Sequence, residues 1–129
     1  MRRRLAPGGL VAINYTSLPN GKDAQAVART LKAAFPHVRA FTDGSQASDL
    51  ASVVFMASAS PILLDPAAAA GLPGVELFLA HEARFADAGG RLLTDDYNPL
   101  NIYRVGATRL WRQRMIRHIG EDWAYWADF

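Results

Sequence analysis

Residues 5–15, LAPGGLVAINY, decide how the chain is read. Pro7, Gly8 and Gly9 make a turn, and residues 10–15 that follow are a near-continuous apolar run, the pattern of a strand covered on both faces. Such a strand is expected in the middle of a sheet. Asn20 and Gly21 then precede KDAQAVARTLKAAF, where Ala24, Val27, Ala28, Leu31, Ala34 and Phe35 recur at helical spacing until Pro36 stops the helix. Residues 37–41, HVRAF, read as a second strand, with Val38, Ala40 and Thr42 alternating against Arg39 and Phe41. A strand, a crossover helix and another strand imply a parallel pair. The short link 42–51 instead permits an antiparallel return into a third strand at 52–58, SVVFMAS.

Beyond that strand, DPAAAAG reads as a helical turn or a loop. The spacing of Leu77, Phe78, His81, Phe85 and Ala88 predicts a second helix over 75–88, stopped by Gly89 and Gly90. A short strand is expected at 91–94 and a third helix at 103–119, before the aromatic tail DWAYWADF. At 129 residues the chain suits one domain, long enough to bury a core. Half of it is hydrophobic and a fifth charged, which suits a folded protein and not a disordered one. A formal charge of +2 gives no overall attraction to nucleic acid or an anionic membrane. With no cysteine there is no disulfide, thiolate nucleophile or cysteine metal site. No apolar run approaches the length of a membrane span, and the expectation is a cytoplasmic protein.

Few motifs carry chemistry. His81 and Glu82 are adjacent, but HExxH is absent, so a zinc site lacks its ligands; His37 and His118 have no evident partners. There is no GxSxG elbow for a serine nucleophile, and Ser58 and Ser60 read as loop residues. No GxGxxG stands between a strand and a helix to cradle a phosphate. Asp95 and Asp96 in LLTDDYNPL follow an expected strand, where α/β proteins place their sites, and adjacent carboxylates can share a proton, hold a cation or bind an amine. Their residue types favour the plainer task of turn and capping residues before Pro99. Arg104, Arg109, Arg112, Arg114 and Arg117 surround Trp111. Val105, Leu110, Met115 and Ile116 interleave with them, which favours a docked terminal helix with a solvated arginine face over a nucleic-acid reader.

The order of LAPGGLVAINY (5–15), FPHVRAFTDG (35–44), SVVFMAS (52–58) and LLTDDYNPL (92–100) resembles the carboxyl-terminal half of the spermidine synthase family. The resemblance implies an α/β chain with a partial Rossmann-like, class I methyltransferase fold. Its mixed sheet would hold strands equivalent to the fifth, seventh and sixth, with the seventh antiparallel and inserted between the other two, plus flanking helices. It implies a substrate-facing place for Asp95, Asp96 and Tyr97, with no catalytic role carried over. The family binds decarboxylated S-adenosylmethionine through a glycine-rich loop and an acidic residue after its first two strands, and its catalytic aspartates follow the fourth. These would precede Met1, so no cofactor is expected for this chain alone. Polyamine-using members carry a tyrosine, glycine and tryptophan pattern before the last strand; this chain has TDGSQASDLASVVF.

The expected function is therefore a spermidine-synthase-like segment, related to polyamine aminopropyltransferases, that is not catalytic by itself. In a complete protein it would serve an aminopropyltransferase or a related S-adenosylmethionine-type transferase. The edge of the 10–15 strand is expected to self-associate or to take a partner chain. The alternatives are an interaction module using residues 103–129, and an RNA-binding protein using the arginine-rich helix.

Overall fold

Three strands and one long helix make the centre of the molecule. The computed structural model describes residues 5–18, 20–45, 50–85 and 90–119. Strand β1 (Leu10–Ser17), helix α1 (Lys22–Ala34), strand β2 (His37–Thr42) and strand β3 (Ala51–Ser58) follow in order. The sheet order is β1-β3-β2, and β3 runs antiparallel to both neighbours. Opposite residues of such ladders share a face. Ile13, Phe55 and Ala40 form one rung, with Val11, Ala57 and Val38 on one side of it and Tyr15, Val53 and Thr42 on the other. All of these point to α1, whose Ala24, Val27, Ala28 and Leu31 close the core together with Phe35.

The third strand holds the middle place. Residues 10–15 had the apolar look of a central strand, yet β1 is an outer strand, because its alternate positions Ala12, Asn14 and Thr16 are exposed while Val53, Phe55 and Ala57 of β3 are fully buried. The parallel pair inferred from strand, helix and strand is likewise corrected. β1 and β2 run in the same direction but never touch, and every ladder in the sheet is antiparallel rather than mixed.

Downstream, two expected elements do not form as read. The second helix is α3 (Pro73–Ala80), which follows the short α2 (Pro66–Ala69) and stops well before residue 88. Residues 81–83 leave the helix to bond the outer edge of β2: Thr42 N–H donates to His81 O at 2.9 Å and Ala83 N–H to Ala40 O at 2.8 Å. Those backbone groups of β2 would otherwise lack partners, and satisfying them outweighs two more helical turns. His81 is consequently an exposed helix end, not part of a half-buried face. The strand expected at 91–94 is absent, since Leu93 N–H donates to the Thr30 side chain at 2.9 Å instead of to a neighbouring strand. Gly90 is buried against α1, where a Cβ would run into the backbone of Gln25 and Ala26. Its role is close approach; Gly89 and residues 86–88 of the expected helix lie outside the described residues.

The DPAAAAG segment contains α2, capped by the Asp65 carboxylate, which accepts from Ala67 N–H at 2.9 Å. The terminal helix is divided into α4 (Leu100–Tyr103) and α5 (Val105–Ile119), joined at Arg104. It docks less than its pattern implies. Among its described side chains only Ala107 is buried, while Trp111 is 45% and Ile116 37% exposed. The aromatic tail lies outside the described residues. Among those described, no helix is long and apolar enough to cross a membrane.

Candidate functional site

A polar cluster sits where β1 hands over to α1. Strand alternation puts Tyr15 and Ser17 on the face of β1 that meets α1, and Asp23 in the first turn of α1 meets them. Asp23 is 2% exposed and Ser17 is fully buried. Ser17 Oγ lies 2.7 Å from each Asp23 oxygen and shares its hydrogen between them, and Tyr15 OH donates to Asp23 Oδ2 at 3.0 Å. A buried carboxylate needs such donors, because without them burial costs several kcal/mol. Its place in the first helical turn also suits the helix dipole. Gly21 is the N-cap of α1, and a side chain there would strike the Asp23 carboxylate and approach Ser17 Oγ. Sequence reading passed over this cluster, since an aspartate in a first turn looks like an ordinary solvated charge. The available signal was the same-face pair Tyr15 and Ser17 aimed at a helix start.

Arg104 completes the group, its guanidinium 5.0 Å from the centre of the Tyr15 ring. Beside it, Thr16, Leu50, Arg104, Ala107, Thr108 and Trp111 line a hollow of about 260 Å3. Burial, then the charge of Asp23 and the hydrogen bond to it, push the Tyr15 phenol well above the usual tyrosine range, against a smaller opposing pull from Arg104. A raised folded value means that the neutral phenol is favoured on folding. This contribution to stability is whole below the unfolded tyrosine value, about pH 10, and declines above it. Urea unfolding of wild type should therefore lose more stability between pH 9 and pH 11 than unfolding of Tyr15→Phe. Parallel losses in the two proteins would refute this.

The residues singled out in LLTDDYNPL stand elsewhere. Asp95 and Asp96 are exposed at the tip of a tight turn closed by two bonds, Tyr97 N–H to Thr94 O at 3.2 Å and Thr94 N–H to Tyr97 O at 3.0 Å. Tyr97 is 44% exposed, with the Arg91 guanidinium 5.8 Å from its ring centre. Neither aspartate caps α4, whose N-cap is Pro99; Asn98 Oδ1, one residue earlier, accepts from Leu100 N–H at 3.3 Å. The structure brings Asp95, Asp96 and Tyr97 together and keeps them apart from the Tyr15, Ser17 and Asp23 cluster. His81 Nδ1 lies 2.8 Å from Leu77 O, and Glu82 forms a two-pronged pair with Arg39 at 2.8 and 2.9 Å. The hydrogen bonds from Arg39 hold Glu82 below the usual carboxylate range. Among the described residues no group of three or more His, Asp or Glu could hold a metal ion.

Two surfaces remain. On the sheet face away from α1, Phe41, Val54, Met56, Leu72, Val75 and Phe78 line an open apolar cleft of about 560 Å3 under α3. Among the described residues, no strand pairs with the outer edge of β1. No family model, curated protein or solved structure matches the chain.

Proposed function

We propose that the chain is a spermidine-synthase-like segment, equivalent to the distal strands of a class I methyltransferase fold, which acts by completing a larger sheet and does not transfer an aminopropyl group alone. The observation that supports this reading is the strand order: a third strand inserted between the first two and antiparallel to both, with no strand among the described residues on the outer edge of β1. In that role β1 and α1 form a rigid frame, held at its hinge by Ser17 and Asp23. The exposed carboxylates of Asp95 and Asp96 suit the approach of a polyammonium chain in an assembled domain, next to Tyr97, whose ring already carries the Arg91 guanidinium. There the chemistry would be attack of a neutral amine on the carbon beside a sulfonium, served by positioning and proton removal. The place of action proposed is the cytoplasm.

Calorimetric titration of the chain with decarboxylated S-adenosylmethionine tests this. No saturable heat is expected. A one-to-one binding isotherm would overturn the reading by placing the cofactor site within these residues.

A further inference from the structure

The two ends of the sheet are finished differently. At β2, residues 81–83 occupy the edge through the bonds of Thr42 and Ala83, and the Arg39–Glu82 pair locks them there. At β1, eight residues, LVAINYTS, present an edge without a charged residue or a proline, the two devices that most often block strand pairing. Nothing in this edge selects against its own copy.

Resting on the reading of this edge as open, we infer that, while the chain stands alone and outside the larger sheet, the partner of this edge is a second copy of the chain. The two copies join by antiparallel pairing of β1 with β1 about a twofold axis, with Ile13 opposite Ile13. An antiparallel pair related by such an axis keeps α1 of both copies on one side of the sheet, so opposed residues must share a face. The Ile13-centred register meets that condition and uses residues 10–16. Val11 then faces Tyr15 of the second copy, a pairing of β-branched and aromatic side chains that extends the core across the axis. Leu10, 46% exposed in the single chain, falls opposite Thr16 of the second copy. Thr16 lines the 260 Å3 hollow with Leu50, Ala107 and Trp111 and with the polar Arg104 and Thr108, so the register brings an exposed leucine beside the apolar part of that hollow twice per dimer. The product is one continuous six-stranded sheet whose outer edges are both the protected edge of β2.

The register makes Ala12 face Asn14 of the second copy, and both residues are exposed on the face away from α1. Sedimentation equilibrium of the wild-type chain should show a dimer. The double substitution A12K/N14K sets lysine against lysine at two places and should raise the dimer dissociation constant about tenfold. A12K/N14E sets lysine against glutamate and should return it to within about threefold of wild type. Circular dichroism of each variant confirms that the chain is folded. A dimer indifferent to A12K/N14K would overturn the inference, and equal weakening by both variants would overturn the register. Hydrogen exchange separates the remaining outcomes. A monomer with rapidly exchanging β1 amides leaves the edge open and refutes only self-pairing, whereas a monomer with protected β1 amides refutes the open edge as well.

Discussion

Replacing Phe55 by alanine is expected to lower the folding free energy by about 4 kcal/mol, read from the urea midpoint at constant m-value. Phe55 is fully buried on the central strand, on one rung with Ile13 and Ala40, and its ring lies tilted against Phe85 with centroids 5.2 Å apart. Its surroundings give little scope for collapse. Ala40 and Ala28 are already small, and the strands on either side are held by their ladders. The void left by the ring would therefore stay largely open, which puts the cost at the upper part of the range for such truncations. Phe55→Leu keeps most of the volume and should cost about 1 kcal/mol. A loss below about 1.5 kcal/mol for the alanine variant would mean that the sheet does not pack on α1 as described.

The second large effect concerns Asp23. Asp23→Ala removes the acceptor for Ser17 Oγ and Tyr15 OH together and leaves a buried hydroxyl whose remaining contact is Leu18 O at 3.2 Å. A loss of about 3 kcal/mol is expected, because hydrogen bonds to a charged group are worth more than neutral ones and a stranded buried donor adds its own penalty. Asp23→Asn keeps one acceptor oxygen and should lose about half as much. Ser17→Ala combined with Asp23→Ala should cost clearly less than the two single losses added, since the double variant no longer leaves a buried Ser17 hydroxyl without its acceptor and only the Tyr15 hydroxyl loses its partner. Strict additivity would show that the two side chains do not act as a pair. The reading of β1 and α1 as a frame depends on this hinge, so its loss should also speed hydrogen exchange in the first turn of α1.

Much of the fold could be read along the chain because the signals concerned are local. The helical spacing of Ala24, Val27, Ala28 and Leu31 with Pro36 behind them predicted α1 to within a residue of Lys22–Ala34. The alternation of Val38, Ala40 and Thr42 against Arg39 and Phe41 correctly divided β2 between its faces. The third strand was placed within one residue of Ala51–Ser58. Where the reading failed, the deciding partner was distant. Residues 81–83 have helical spacing but are taken by the free edge of β2, some forty positions earlier. Leu93 has the character of a strand residue, yet its amide is claimed by Thr30 on α1. The candidate site was legible in part. Asp95, Asp96 and Tyr97 stand on one turn as neighbours in sequence must, but the Tyr15, Ser17 and Asp23 cluster exists only because β1 and α1 pack face to face.

The sequence by itself determined the extents of β1, α1, β2 and β3 and the helical character of the last described segment, since periodicity is a property of neighbouring residues, and its resemblance implied a third strand inserted between the first two. Only the tertiary structure decided that residues 81–83 bond the edge of β2 instead of continuing a helix, that Leu93 bonds Thr30 instead of a neighbouring strand and that Asp23 is buried. Those outcomes depend on which backbone and side-chain groups far apart in the chain satisfy one another once water is excluded, and no local pattern records that competition.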